Sequence, residues 1–428
     1  MQNIMKPRLI PALLAIAFSG VASASGFQLM GEQSASGIAN AGAGSAAVAE
    51  NATTIYYNPA GMTQLQAREV SAGLSFVRTS FQFSNNGSVT PGLSGDGGDG
   101  GGWSIVPNAY LSWALTKDLY VGLGIGAPFG LVTKYDDPWY GAAQSVSFEI
   151  KTMNINPSIA WRATDWLSLG FGINWQKIDA EYVRRLGTNG VPGVPAGALP
   201  NSTAKLTLDD DAWGWNVGAL FRLAPQTKLG VSYRSSVKYH TTGDVSFSGP
   251  AAGSARLGTV NSGAKAEVEL PDTFIISLSQ GIGDRVELLA DVSWTGWSSI
   301  PQLDIYRDSG TKLQTLDTKF DDAWRVALGA NYKLSDALKL KFGVAYDQTP
   351  VPSAQDRLTS LPDNDRIWFS GGAQWKPNKN MALDFGAAYI YVKDTQIDNN
   401  QLASGRGWVR GDYDNSVWIL GTQFSMAF

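Results

Sequence analysis

From Arg68 onward, much of the chain alternates one residue at a time between apolar and small or polar residues. Successive side chains of a β-strand point to opposite faces, so this alternation predicts strands with one apolar face. Residues 166–176 illustrate it. The apolar positions there are Leu167, Leu169, Phe171, Ile173 and Trp175, and the positions between them are Ser168, Gly170, Gly172, Asn174 and Gln176.

The alternation predicts fourteen strands between residues 67 and 428. Most span roughly 10 to 15 residues, more than the five or six that are usual in a soluble sheet. Short turns such as 163–165 alternate with long segments such as 84–102, 301–317 and 398–411. Short periplasmic turns and long outer loops are typical of outer-membrane barrels. We therefore expect an all-β protein, a transmembrane antiparallel barrel of 14 strands whose apolar face contacts lipid.

Aromatic residues support a membrane location for this barrel. The chain has 15 Trp and 15 Tyr residues, and several of them flank the predicted short turns, where an interfacial aromatic belt would lie. A strand ending in Phe428 resembles the signal that the outer-membrane insertion machinery reads. The residues of the predicted belt are Trp113, Tyr120, Trp161, Trp166, Tyr332 and Trp375.

The segment before the first strand has a different composition. Thirteen of the sixteen residues in 34–49 are Gly, Ala or Ser, which leaves too little side chain for a core of its own. Thin backbone can instead pack closely inside another structure. The segment ends in Tyr-Tyr-Asn-Pro-Ala-Gly-Met at 56–62, where Pro59 disfavours a strand. We expect residues 25–66 to form a plug inside the barrel of residues 67–428.

The first 24 residues are typical of a secretory signal peptide. Lys6 and Arg8 precede an apolar stretch, and Val21-Ala22-Ser23-Ala24 provides a small-residue cleavage site. We place cleavage after Ala24, with 23–26 as the range, and predict export to the bacterial outer membrane.

Candidate catalytic and cofactor chemistry is sparse. The chain has no cysteine, and His240 is its one histidine, which we place at the outer end of a strand. Serine hydrolases and many metal sites need a histidine, so we expect no enzyme activity. The Gly-rich run at 95–100 formally contains G-x-G-x-x-G, but it lies in a loop and not between a strand and a helix. A net charge of −4 gives no basic surface for nucleic acid. We expect no cofactor and no metal.

The third predicted strand, 119–131, contains an unusual stretch. Gly122, Gly124 and Gly126 precede Ala127-Pro128-Phe129. A proline removes a ladder donor, so the strand either ends there near the outer rim or is deliberately broken.

Among the few predicted inward charges, Arg325 and Arg366 lie toward outer strand ends, where a carboxylate ligand would arrive. Taken alone, such a residue more often forms a salt bridge inside the lumen than a ligand contact.

Six motifs in order resemble the FadL/TodX family of outer-membrane transporters, and the resemblance covers essentially the whole mature chain. They are S-G-F-Q-L-M-G-E-Q-S-A-S-G-I-A-N-A-G-A-G at the mature start, N-P-A at 58–60, G-L-G-I-G-A-P-F-G-L at 122–131, W-T-G-W-S at 294–298, D-A-W-R-V-A-L-G at 322–329 and P-D-N-D-R at 362–366.

The resemblance implies a monomeric fourteen-stranded barrel closed by an N-terminal hatch, embedded in outer-membrane lipid and lipopolysaccharide. It also implies passive uptake of hydrophobic molecules through a ligand-gated hatch and a lateral opening at a kink in strand three. The matching residues are Phe27, Asn58, Pro59 and Ala60 for the hatch, Gly124, Gly126, Pro128 and Phe129 for the kink, and Arg325 and Arg366 as head-group candidates.

Two alternatives remain at this point. Long-chain fatty acids are the expected substrates, but monoaromatic hydrocarbons would use the same route, and the sequence does not separate them. A structural or adhesive barrel with partner-binding outer loops is the alternative of another class, although an adhesin has no need for a hatch.

Overall fold

The structure is a computed structural model that describes residues 26–428; the predicted signal peptide lies outside them. The chain forms one antiparallel sheet that closes on itself, because the last strand pairs with the first, with Phe76 opposite Leu420. Closure leaves no free sheet edge, as a barrel in lipid requires. The fourteen-stranded barrel expected from the sequence is confirmed.

Eight wall strands are continuous and six are interrupted, giving twenty hydrogen-bonded segments. The strands are β1 (Arg68–Asn85), β2 (Trp103–Ala114), β3a and β3b (Leu119–Gly126, Gly130–Lys134), β4 (Ser147–Arg162), β5 (Leu167–Arg185), β6 (Thr203–Ala224), β7a and β7b (Thr227–Arg234, Val237–Ser248), β8a and β8b (Ser262–Leu270, Thr273–Ile282), β9a and β9b (Val286–Thr295, Gln302–Arg307), β10a and β10b (Lys312–Asp317, Ala323–Lys333), β11 (Leu338–Asp347), β12 (Arg366–Asn378), β13a and β13b (Met381–Val392, Thr395–Gln401) and β14 (Gly407–Ala427).

Helical structure is limited to short pieces. Two α-helices, α1 (Ala35–Ala39) and α2 (Thr54–Tyr57), and two 3-10 turns (Gly31–Gln33, Pro59–Gln64) lie before β1. Two more 3-10 turns, Trp297–Ser299 and Leu402–Ser404, lie near the long-loop end of the barrel. None of the helices in residues 26–428 is long and apolar enough to cross a membrane.

The wall is apolar outside and polar inside, the reverse of a soluble sandwich. Leu169, Phe171 and Ile173 of β5 are more than 40% exposed, whereas Ser168 and Asn174 on the other face are at most 3% exposed. Apolar outward and polar inward positions are the arrangement of a membrane barrel.

Part of the predicted aromatic belt and two predicted loops need correction. Tyr120 is buried inside the barrel and donates to the Leu65 carbonyl at 3.5 Å, whereas the other five belt residues lie outside. The long loop predicted at 301–317 is mostly sheet, because β9b pairs with β10a and only 308–311 connects them. Ile305 and Leu316, which alternate with polar residues, are buried there. The loop predicted at 398–411 is shorter, because Gln401 of β13b pairs with Gly407 of β14 and only 402–406 connects them.

Candidate functional site: the plug and the interrupted strand

The segment of residues 26–66, here called the plug, fills the barrel lumen. Leu29, Ile38, Ile55, Asn58 and Met62 are completely buried. Helix α1 packs against β12, β13a and β14, while the Pro59–Gln64 turn packs against β4, β5 and β6 on the other side. A segment rich in Gly, Ala and Ser can approach the wall on all sides because its side chains occupy little space.

Inward-facing wall glycines make room for this close approach. A Cβ on Gly170 would lie 2.2 Å from the Ala60 nitrogen, and one on Gly218 would lie 2.0 Å from Asn58 Oδ1. Any side chain at these positions would collide with plug backbone or with a buried amide. Further wall glycines whose Cβ would lie 2.7 Å or less from plug atoms are Gly122, Gly126, Gly230, Gly343, Gly372, Gly386 and Gly421.

Asn58, Pro59 and Ala60 connect the plug to the wall. Asn58 Nδ2 donates to the Ala46 carbonyl at 2.8 Å and to the Ala219 carbonyl of β6 at 3.0 Å. Its Oδ1 accepts from the Ala60 N–H at 3.1 Å and so caps the following 3-10 turn. Proline at the first position of that turn loses no hydrogen bond, because a turn's first N–H has no internal partner. One side chain therefore joins two parts of the plug and the barrel.

The wall strand β3 is interrupted between Gly126 and Gly130, and the plug occupies the interruption. The Leu29 N–H donates to the Pro128 carbonyl at 2.8 Å, and the Gly130 N–H donates to the Phe27 carbonyl at 2.8 Å. Gln28 and Phe129 thus face each other as an antiparallel pair. The first residues of the plug therefore pair, as a short strand, with the wall residues between Gly126 and Gly130.

An aromatic cluster covers this junction. The Phe27 ring lies 4.8 Å from the Trp297 ring and 6.0 Å from the Phe129 ring, both in edge-to-face geometry. Burial of such rings contributes several kcal/mol in total, by about 25 cal/mol per Å² of apolar surface. Gly124 lies against the Tyr110 ring, and a Cβ on Gly126 would lie 2.3 Å from Gln33 Oε1. The four residues of the predicted kink thus all border the interruption.

The two predicted head-group arginines lie at the plug but already have partners. Arg366 donates through Nε to Asp363 Oδ1 at 2.8 Å, and Asp363 also accepts from the Gly26 N–H. Arg325 donates to the Ala41 carbonyl at 2.5 Å and lies over the Trp368 ring. Each has one Nη1 atom without a hydrogen-bond partner among the described residues. Their role as ligand contacts stays a prediction.

A buried ion cluster anchors the plug near the short-turn end. Glu50 of the plug pairs with Lys341 and, at 3.1 Å, with Lys339, both on β11. Lys341 also lies 3.6 Å from Asp384 of β13a. Burial opposes ionisation of Glu50, but the two lysines hold the pKa of its carboxyl well below the usual range. Removing one member would leave buried charge uncompensated, which costs about 3–5 kcal/mol.

Glu32 is a second buried acid of the plug, and its carboxyl group accepts no hydrogen bond from another described residue. Burial raises the pKa of Glu32 to about 7. A hydrogen bond from its own backbone N–H and the nearby Arg366 and Arg325 only partly oppose this rise, while Asp347 adds to it. The docked plug therefore holds a proton on Glu32 more tightly than an undocked plug would.

This difference predicts a pH-dependent plug. Docking should be strongest below the ordinary pKa of 4.5 and should weaken as the pH rises through about 7. The conductance of the reconstituted channel should therefore increase between about pH 5 and about pH 8. The equilibrium constant for docking can change by at most about two orders of magnitude over this range. Glu32→Gln should remove most of this dependence, and an unchanged pH profile in that variant would contradict the assignment to Glu32.

A groove of about 240 Å³ opens among the outer loops at the other end of the barrel. The residues that line it include Leu206, Val245, Ile305 and Arg184. Arg184 donates through Nε to Gln314 Oε1 at 2.9 Å and has no ion-pair partner in residues 26–428. Sequence reasoning missed Arg184 because the groove is formed by β5, β6, β7b and β9b together.

Comparisons with known proteins agree with this architecture. A family model described as outer membrane protein transport protein (OMPP1/FadL/TodX) matches residues 15–428. A 47 kDa outer membrane protein of Pasteurella multocida is 32% identical over 402 residues, with 90% of this chain and 91% of that protein covered. A long-chain fatty acid transport protein of Escherichia coli O157:H7 is 29% identical over 432 residues, covering 94% of each chain.

Solved structures share the fold. A Pseudomonas aeruginosa FadL homologue superposes with a TM-score of 0.86 at 21% identity, covering 94% of this chain and 99% of that one. The P. putida toluene transporter TodX gives a TM-score of 0.68 at 16% identity, covering 92% and 98%.

Proposed function

The chain belongs to the OMPP1/FadL/TodX family of outer membrane transport proteins, and from that premise we propose that it is a channel for passive uptake of hydrophobic compounds, with long-chain fatty acids as the substrates. The observation that carries this proposal is the pairing of plug residues 27–29 with residues 128–130 at the interruption of β3. Plug and wall gap form one unit, so a ligand that moves the plug also alters the gap.

The route begins in the outer groove. Its apolar lining would recover about 0.8 kcal/mol for each buried methylene of an alkyl chain. Arg184 has no ion-pair partner within residues 26–428, and its guanidinium suits a carboxylate within that lining. An alkyl chain with an anionic end fits this combination better than a neutral aromatic hydrocarbon, which would gain nothing from the guanidinium.

The ligand then passes toward the plug. Within the plug, Phe27, Asn58, Pro59 and Ala60 form the hatch, the part that gates the route. A ligand can shift the hatch only if it binds two hatch positions with different affinity. Departure of residues 27–29 would expose the gap between Gly126 and Gly130, where Pro128 and Phe129 leave the wall ladder open. A lateral exit there would release the solute into the bilayer without a step through water.

Further partners are part of the same proposal. The exposed Phe428 at the end of the last strand would contact the insertion machinery during assembly. The closed sheet has no edge for another chain, which supports a monomer in lipid and lipopolysaccharide.

The test is uptake of labelled oleate by cells that express the chain in a host lacking its own fatty acid channel. Expression should restore uptake, and Leu206→Asp should reduce the initial rate about tenfold at low oleate, because it replaces apolar lining with a negative charge. Leu402→Asp is the control, since Leu402 is exposed at the same end and does not line the groove. Uptake of toluene but not oleate would assign the aromatic substrate instead.

A further inference from the structure

Arg234, at the end of β7a, lies at the boundary between the plug and the lumen wall. Its Nη2 donates to the Tyr56 carbonyl at 2.8 Å, two residues before Asn58, and its guanidinium lies 4.6 Å from the centre of the Tyr56 ring. Its Nη1 donates to Asn174 Oδ1 of β5. These contacts hold the Asn58-Pro59-Ala60 end of the plug against the wall.

The charge of Arg234 is not compensated. No carboxylate in residues 26–428 lies within ion-pair distance of it, and the groups that receive its hydrogen bonds are a neutral carbonyl and a neutral amide. Cations inside a barrel are usually paired, because a charge removed from water loses solvation. Arg234 is half-buried, so part of its surface is open to an anion.

An amide donor without a partner lies beside this cation. Asn216 of β6 is directly opposite Arg234 in the strand register and is 1% exposed. Its Oδ1 accepts from Asn156 Nδ2 at 3.0 Å and from Asn174 Nδ2 at 2.9 Å, which fixes the amide orientation. Its Nδ2 donates to no described atom. Nearby, Asn154 Oδ1 and Asn156 Oδ1 are free acceptors that suit water.

We propose that Arg234 and Asn216 form a carboxylate-binding site in the lumen, and that an amphiphile's head group bound there displaces the Tyr56 carbonyl from Arg234 and so loosens the plug. A guanidinium and an amide N–H are the donors that a carboxylate prefers, and charge-assisted bonds are about twice as strong as neutral ones. The free carbonyl of Tyr56 would then lose its wall contact just before the hatch motif.

The inference rests on the proposed function, and its test separates the two. Purified protein in detergent is titrated with oleate and with methyl oleate, which has the same chain without the charge. The wild type should bind oleate at least tenfold more tightly than the ester. Arg234→Gln should reduce that preference severalfold, leaving the part that Arg184 contributes in the outer groove, while keeping affinity for the ester. Arg285→Gln, which changes an exposed turn arginine, is the control of equal charge.

Asn216→Asp supplies the decisive second variant. It places a carboxylate opposite Arg234, so it should reduce the preference for oleate as much as Arg234→Gln does and should raise the basal conductance in bilayers, as a permanently bound head group would. Heat-modifiable migration on gels checks that each variant retains its barrel. Equal preference for oleate in wild type and Arg234→Gln, or an unchanged conductance in Asn216→Asp, would overturn the site, whereas a wild type that takes up no oleate in cells would overturn the proposed function.

Discussion

Oxidation of a Gln28→Cys/Phe129→Cys variant should stop substrate uptake almost completely, and reduction should restore it. The two residues face each other between hydrogen bonds formed by Leu29 with Pro128 and by Gly130 with Phe27. Such non-hydrogen-bonded pairs bring Cα atoms to about 4.5 Å, within the range of a disulfide. The bond would fix the start of the plug to the interruption of β3 and prevent any movement that separates them.

The chain offers a clean background for this experiment, because it contains no cysteine. Each single-cysteine variant reports the effect of losing Gln28 or Phe129 alone, and the reduced double variant reports both losses without the bond. Oleate uptake in cells is measured before and after a membrane-permeant reductant. Full uptake by the oxidised, cross-linked protein would show that the plug and the gap need not separate, and the proposed exit would fail.

Replacement of Gly218 by valine should open the channel to small solutes. The added Cβ alone would lie 2.0 Å from Asn58 Oδ1 and 3.4 Å from Pro59 Cδ, so the hatch motif cannot keep its position. The hydrogen bond from Asn58 to the Ala219 carbonyl of β6 would be lost, at about 1 kcal/mol, in addition to the overlap. We expect an increase in single-channel conductance of at least tenfold, measured in planar bilayers.

Gly371→Val is the matched control, because within residues 26–428 a Cβ on this β12 glycine would meet only the Lys341 carbonyl, at 3.8 Å. Both variants place a β-branched residue in a strand, and β-branched residues favour strand geometry. Normal conductance in Gly218→Val together with a folded barrel would mean that Asn58 does not hold the lumen closed. A barrel that fails to assemble only in Gly218→Val would mean that the motif serves folding.

Much of the wall could be predicted from the sequence, and the errors have physical causes. The period-two pattern indicates which face of β5 is apolar, and lipid outside the barrel makes that face the exposed one. The prediction that Tyr120 lies in the belt is wrong, because an aromatic residue beside a short turn suits either face. The alternation stops at Pro301 and so predicts a loop at 301–317, whereas pairing with β8a extends the strand beyond the proline.

The candidate site was less predictable. Asn58 and Pro59 stand out in the sequence because they interrupt a strand-rich chain. Gly218 does not, since nothing in its neighbourhood shows that Asn58, 160 residues earlier in the chain, needs its space. Arg234 and Asn216 likewise become a pair only through the register of β6 and β7a.

The sequence by itself determined a closed outer-membrane barrel with a small-residue segment before it, because strand periodicity, turn lengths and composition are local properties that neighbouring residues carry. Tertiary structure alone decided which lumen groups meet. Gln28 reaches Thr273, Glu50 reaches Lys341 and Arg234 reaches Tyr56, contacts that span more than 170 residues each. Such contacts depend on closure of the barrel around the plug, and no local pattern encodes the distance between residues so far apart.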